Sequence, residues 1–131
     1  MQVRLATYLA IAAGGAAGAG ARHFADVLLA GDTFPLSTWL VNLSGCLLIG
    51  AFARLVAPEG RLFVSTATRH GVMTGLLGGF TTFSVFSLEN LELVADGALP
   101  VALAYILATL VGCLVAVWAG DRAARILDRM D

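Results

Sequence analysis

The sequence predicts an all-α integral membrane protein with four transmembrane helices, the third of them broken near the middle of the bilayer. Only 13% of the 131 residues are charged and 59% are hydrophobic, whereas a soluble domain usually carries about 25% charged residues. The hydrophobic residues are grouped into runs of about 20 or more, the length that crosses a membrane as a helix. The net charge of −1 gives no sign of a nucleic-acid partner.

The four apolar runs occupy residues 5–29, 34–56, 63–94 and 99–119. Short helix-breaking segments separate them: Gly31-Asp32 with Pro35, then Pro58-Glu59-Gly60, then Asp96-Gly97 with Pro100. These breaks leave no room for a soluble domain. Residues 1–131 are therefore predicted to form one transmembrane domain, a multi-pass protein of the plasma membrane or bacterial inner membrane.

The first run also has features of a secretory signal peptide, because Arg4 precedes an apolar stretch and small residues follow it. Gly14 and Gly18 lie four residues apart, and small residues at that spacing let two membrane helices approach closely. We therefore expect a retained helix.

The third run is about 32 residues long, more than one span requires. Gly71, Gly75 and Gly79 fall four apart and share one helix face. Two adjacent glycines and two threonines follow within residues 78–84, a composition that disfavours a helix interior. One interpretation is a kinked helix that packs through its glycines. The interpretation we favour is a broken helix, since such breaks often carry an ion site.

Polar residues recur at helical spacing inside two apolar runs. Thr38 and Asn42 are four residues apart in the second run, and Tyr105, Thr109 and Cys113 are four apart in the fourth. Polar groups in a bilayer usually face protein or a pathway, so each stripe predicts either hydrogen bonds between helices or the lining of a pathway. Asn42 favours the second, because its amide has several bonding sites to satisfy.

The two cysteines, Cys46 and Cys113, both lie inside apolar runs. No His and no further Cys lies nearby, so they lack the ligand set of a zinc site. The sequence predicts two small buried thiols and no disulfide framework.

Phe83 and Phe86 follow the predicted break, interleaved with Ser84 and followed by Glu89. Phenylalanines in a membrane helix are normally core or lipid-facing. A ring edge is electropositive, however, and rings among hydroxyls suit an anion pathway that needs weak, multiple sites. Glu89 lies roughly 15 Å beyond the break along a helix. It is expected either to be solvated at the interface or to form hydrogen bonds within the bundle.

Three stretches resemble the Fluc family of fluoride channels, also called CrcB, and the resemblance covers the whole chain. They are Gly14-Gly15-Ala16-Ala17-Gly18 with Arg22, Val41-Asn42-Leu43-Ser44-Gly45, and the run from Gly75 to Glu89, GLLGGFTTFSVFSLE. The last stretch is the most specific. The resemblance implies a fluoride-selective channel rather than an enzyme. Such a channel allows passive export of fluoride from the cytoplasm and so reduces its toxicity.

The resemblance also implies an antiparallel dual-topology dimer with two pores, and it assigns residues to the pathway. The fluoride pathway is predicted to include Phe83, Phe86, Asn42, Tyr105, Thr109, Ser84 and Glu89. Thr38 joins them because it shares a helix face with Asn42. Gly78 and Thr81 match positions whose backbone carbonyls, from both subunits, hold a central sodium ion. Arg22 matches the family arginine at the end of the first helix and is expected in a vestibule.

Two residues depart from the family pattern. Val85 stands where many members have Thr, so one hydroxyl of the polar track is missing, and Cys113 stands where some members have Ser. The phenylalanines and the asparagine are all present, so conduction is expected to persist.

The arginine distribution bears on the partner. With four spans, the N-terminus, the second loop and the C-terminus share one side, which carries all the arginines except Arg22. The positive-inside rule places that side in the cytoplasm, whereas a dual-topology homodimer favours a near-even balance. A homodimer, slightly favoured, and a heterodimer with an oppositely oriented paralogue both remain open.

The main alternative function is a small multidrug-type proton-coupled exporter, which also has four helices. Export of that kind requires a carboxylate in the first helix, and residues 5–21 contain none. An intramembrane hydrolase is disfavoured because Ser44-Gly45 is no hydrolase signature without a His base on another helix, and His23 and His70 are both expected near helix ends. A non-transporting assembly factor would not need a broken helix beside polar stripes.

Overall fold

The computed structural model describes residues 4–29 and 34–128, which are helical almost throughout and contain no strand. Helix α1 spans Leu5–Leu28 and α2 spans Leu36–Leu55. The third apolar run forms two helices, α3 over residues 66–80 and α4 over Ser84–Ala95. Helix α5 spans Leu99–Asp128. The predicted all-α fold is confirmed, while the break at Gly31-Asp32 lies outside the described residues.

Three helical segments of the described chain are long and apolar enough to cross a membrane: α2, the 30-residue segment Thr66–Ala95, and α5. Helix α1, with 24 residues, is about 36 Å long and so has sufficient length. Glycines at positions 14, 15, 18 and 20 lower the mean hydropathy of this helix. Gly14 and Gly18 instead allow close packing.

Helix α1 packs on α3 through glycines of both helices. Gly71, Gly75 and Gly79 all face α1, where an added Cβ would lie 3.1, 2.6 and 2.5 Å from its atoms. On the α1 side, a Cβ added to Gly18 would lie 2.1 Å from Leu76 O of α3. The two backbones approach too closely for any side chain, which is the small-residue packing that stabilises membrane helices.

Helices α2 and α5 run in the same direction. A Cβ on Gly112 would lie 3.2 Å from the Leu43 side chain, and a Cβ on Gly50 would lie 2.2 Å from Val117 O. The contacts thus advance along both helices together, as they must between the second and fourth spans of an up-and-down bundle. This parallel register brings the polar stripes of the two helices face to face.

The third segment breaks at residues 81–83, on the threonine side of the predicted run. Gly78–Phe80 remain helical and Thr81 is extended, with φ −73° and ψ 157°. The glycine pair is therefore not the site of the break. A π-helix over Gly71–Leu77, which the sequence analysis did not predict, precedes it. Short π-helical stretches of this kind often occur at functional sites.

Helix α5 continues past its predicted end at residue 119 to Asp128. Arg125 Nε donates to Asp121 Oδ2 at 2.7 Å, one turn away, and such pairs support exposed helices. Arg54, near the end of α2, lies 3.5 Å from Asp128. The C-terminal ends of α2 and α5 therefore lie on the same side, which agrees with the predicted grouping of arginines; Arg129 lies outside the described residues.

We predict that Gly18→Ala destabilises the protein, because its Cβ would meet the backbone at Leu76 O and at Phe80 N, 2.1 and 2.7 Å away. Overpacking of this kind costs about 1–3 kcal/mol. Gly20→Ala is the matched control, since no atom lies within 4 Å of its Cβ. The measurement is the apparent Tm of purified protein in detergent. Equal Tm values for the two variants would contradict the close packing of α1 on α3.

Candidate functional site

The break is held open by the side chain of Asn42. Its Nδ2 donates to Thr82 O at 2.9 Å and its Oδ1 accepts from Thr82 N at 2.8 Å. Both residues are buried. Backbone groups released from a helix inside a membrane need partners, and one amide side chain supplies both. The second N–H of the Asn42 amide is not used by these two bonds.

Thr82 restarts the helix beyond the break. Its Oγ1 accepts from Val85 N at 3.2 Å, an N-cap bond for α4, and lies 3.3 Å from Ser84 Oγ. Ser84, an expected pathway residue, is thus placed at the break and exposed. Thr82 is not among the site residues predicted from the sequence. The signal that identifies such a cap is a threonine three residues before the first free helical N–H.

These side-chain bonds leave two backbone carbonyls without their helical donors. In a continuous helix Thr82 N would donate to Gly78 O and Val85 N to Thr81 O, but both N–H groups donate elsewhere. Gly78 and Thr81 both line a cavity between α2, the break and α5. Carbonyl oxygens are ligands for hard cations, so these two positions fit the predicted sodium ion.

Glu89 lies within a hydrogen-bonded cluster between α2 and α5. Thr38 Oγ1 donates to Glu89 Oε1 and Tyr105 Oη donates to Oε2, each at 2.7 Å. Thr38 is buried and Tyr105 is wholly inaccessible to solvent. Of the two roles left open for Glu89, the geometry shows hydrogen bonding inside the bundle.

Aromatic rings connect this cluster to the break. The Phe86 ring lies 5.1 Å from the Tyr105 ring and 5.7 Å from the Phe83 ring, centroid to centroid. Phe86 is 7% exposed, whereas Phe83, within the break, is 76% exposed. The two phenylalanines are therefore neighbours, as their spacing predicts, but only one is enclosed by the single chain.

The facing stripes of α2 and α5 form a ladder. Four pairs, each one helical turn beyond the last on both helices, follow from the parallel register: Thr38 with Tyr105, Asn42 with Thr109, Cys46 with Cys113, and Gly50 with Val117. The first pair shares Glu89, the residues of the second and third pairs line one cavity, and the fourth is in backbone contact. The first two members on α2 and the first three on α5 are the predicted stripes. The structure adds the pairing and the remaining members, Cys46, Gly50 and Val117.

A cavity of about 650 Å³ lies between α2, the break and α5. It brings together six of the expected site residues: Asn42, Gly78, Thr81, Phe83, Phe86 and Thr109. Thr109 Oγ1 is buried and has no hydrogen-bond partner among the described residues. Thr38, Glu89 and Tyr105 lie beside the cavity, behind Phe86. Arg22, half-buried on α1, is not among the residues that line it.

We predict that Asn42→Leu destabilises the protein by about 1–3 kcal/mol, the cost of leaving buried polar groups unpaired. Ser44→Ala is the control on the same helix, because Ser44 Oγ donates only to the carbonyls of its own preceding turn, at Leu40 and Val41. Thermal unfolding in detergent measures both. A Tm for Asn42→Leu at or above that of Ser44→Ala would show that the break does not depend on Asn42.

Comparison with known proteins identifies the family. The sequence model of the CrcB-like, or camphor resistance (CrcB), proteins matches residues 9–121. A fluoride-specific ion channel FluC of Opitutus terrae is 51% identical over 123 residues, 92% of this chain and 93% of that protein. The FluC proteins of Rhodospirillum rubrum and Methylocella silvestris are 42% and 44% identical, covering 93% and 94% of this chain and 97% and 96% of their own. The resemblance in the motifs is thus confirmed over nearly the whole sequence, and the chain belongs to the CrcB-like family.

Proposed function

We propose that this chain is the subunit of a fluoride-selective channel that lets fluoride leave the cytoplasm passively. Relatives that match it almost end to end are named fluoride-specific ion channels. The observation that carries the proposal is the cavity between α2, the break and α5, where two phenylalanines meet an unpartnered hydroxyl and a pore-lining amide. The chain is a multi-pass membrane protein and a transporter rather than an enzyme.

The cavity offers fluoride hydrogen-bond donors without a full positive charge. Within the part of the chain that the structure describes, the Thr109 Oγ1 proton has no acceptor. The Asn42 amide has a second N–H beyond the one bound to Thr82. Fluoride accepts hydrogen bonds strongly, so these donors replace part of its hydration shell. A buried arginine would instead hold the anion too tightly for rapid release.

The phenylalanine rings supply the second kind of contact. Their edges carry partial positive charge and their faces partial negative charge, so an anion moving past an edge is weakly attracted. Phe86 lies between the break and the Glu89 cluster. In the proposed pathway fluoride passes its ring edge between the donors at the break and the hydroxyls of the Glu89 cluster. The inner-negative membrane potential drives fluoride outward at about 2.3 kcal/mol per 100 mV, so no coupled energy source is required.

The alternative, a proton-coupled exporter, is not favoured. The one acid of α1, Asp26, lies in its last turn. It accepts a hydrogen bond from Ser37 Oγ at the start of α2. A carboxylate in that position ties two helix ends together rather than facing the cavity.

We propose further that a second copy in the opposite orientation closes the pathway, with a sodium ion between the two breaks. Phe83 is 76% exposed in one chain, although it lines the cavity, and a second subunit would cover it. The released carbonyls of Gly78 and Thr81 are suited to a cation. That ion would neutralise the partial negative charges of these carbonyl oxygens and hold the two breaks together.

The proposed function is tested by ion efflux from liposomes that contain protein purified from this gene alone. Fluoride efflux is expected once an ionophore balances charge, with chloride retained. Equal efflux of both ions, or of neither, would contradict a fluoride channel. Activity that appears only with a second gene product would replace the homodimer by a heterodimer with an oppositely oriented paralogue.

We predict that Phe83→Ile and Phe86→Ile each reduce fluoride efflux at least tenfold, because isoleucine keeps apolar bulk but has no ring edge. Phe86→Ile should also lower Tm, since the Phe86 ring is buried within the single subunit. Phe63→Ile is the control, as Phe63 is 93% exposed and lies ahead of α3. Wild-type flux in the well-folded double variant would show that both rings serve packing alone.

We predict that Na⁺ raises the Tm of the purified protein relative to N-methylglucamine at equal ionic strength. A bound ion stabilises by about 2.7 kcal/mol at 100 times its Kd. In Asn42→Leu the sodium effect should disappear, because the two bonds that fix the break beside Gly78 and Thr81 are lost. Identical unfolding of the wild type in the two salts would argue against the ion.

A further inference from the structure

We propose that Cys46 and Cys113 form a two-thiol site for a soft divalent cation, Hg²⁺, in the wall of the cavity. Cys46 and Cys113 are the two cysteines of the sequence. Its two ligands come from different helices and meet only in the folded protein.

The position of the thiols follows from the ladder of α2 and α5. Cys46 lies one turn beyond Asn42 and Cys113 one turn beyond Thr109. One turn further, the two backbones touch at Gly50 and Val117 O. Cys46 and Cys113 occupy the preceding rung and both line the cavity, so the parallel register places the two thiols at the same level of α2 and α5.

The same two residues line the cavity, and each is partly accessible in the single chain. The residues around them on the cavity wall are apolar, among them Ile49, Leu110 and Leu114. Hard cations that need water or carboxylate oxygens find no ligands at this rung. Among the described residues no group of three or more His, Cys, Asp or Glu could hold a metal, so any ion bound here must accept two sulfur ligands.

The net charge of the complex with two thiolates determines which class of ion fits the site. Binding releases both thiol protons: Hg²⁺ and two R–SH groups give R–S–Hg–S–R and two H⁺, with no change in oxidation state. The product is neutral, whereas a monovalent soft ion with two thiolates would leave a net negative charge. A buried uncompensated charge is costly, and soft metals select thiolate ligands. A two-coordinate divalent ion therefore fits this rung.

Occupation of the site would narrow the cavity directly beyond Asn42 and Thr109. If the proposed fluoride pathway includes this cavity, bound mercury should block it. This consequence rests on the proposed function, whereas binding itself does not.

The first test is stoichiometric and needs no flux. Purified protein is titrated with HgCl₂, and the remaining thiols are counted with a maleimide in mild denaturant. One equivalent should protect both cysteines of the wild type, and the bound ion should survive gel filtration with excess 2-mercaptoethanol. C46S and C113S should each lose the ion under the same wash. A requirement for two equivalents, one for each thiol, would overturn the shared site.

The second test measures fluoride efflux from liposomes. Wild-type flux should fall at least tenfold with HgCl₂ and recover with dimercaptopropanol, while the C46S/C113S variant stays unaffected. One-to-one binding with unchanged flux in an active channel would overturn the placement of the rung in the pathway. An inactive wild type without mercury would count against the proposed function alone, because the titration still decides the metal site.

Discussion

The site depends on one pair of hydrogen bonds, those between the Asn42 side chain and the backbone N–H and C=O of Thr82. A helix broken inside a bilayer leaves polar backbone groups that water cannot reach, each costing several kcal/mol if unpaired. The Asn42 side chain pairs with both backbone groups of Thr82, which removes this cost for that residue and fixes the position of the break. The restart of α4 after Thr82 then sets the direction in which Phe86 and Glu89 project.

Glycine packing provides the frame in which that bond can form. Helix α1 approaches α3 closely enough that a Cβ on Gly14 would lie 2.2 Å from Gly71 O, and α2 approaches α5 equally closely at Gly50. A Cβ on Gly45 would lie 2.2 Å from the Thr81 side chain, so the turn beside Asn42 also has no room for a larger residue. Because close backbone contact fixes helix register, the polar stripes of α2 and α5 are brought opposite each other.

The sequence was sufficient for the features that depend on local composition. It predicted the helical segments, the broken third run, and the shared face of Thr38 and Asn42, since these follow from hydrophobic length and helical period. It did not predict which residue opens the break, because that depends on contact with Asn42, 40 residues away. Nor did it predict that α5 reaches Asp128, since its charged last turns are held by a partner on α2, Arg54.

The distribution of unsatisfied polar atoms separates packing from a possible ligand site. Among the described residues, buried side-chain atoms without a partner occur at Trp39, Arg54, Asn90 and Thr109, and only Thr109 lines the cavity. An unpaired buried hydroxyl costs about 1–3 kcal/mol, whereas the neighbouring Asn42 is bonded to Thr82 in both directions. A fold that pairs both backbone groups of Thr82 yet leaves a buried hydroxyl beside them without a partner in the described chain has a position where an acceptor from outside the protein would be stabilised. In the proposed pathway that acceptor is fluoride, the ion that the family points to, and the Thr109 hydroxyl would stabilise it there by a hydrogen bond.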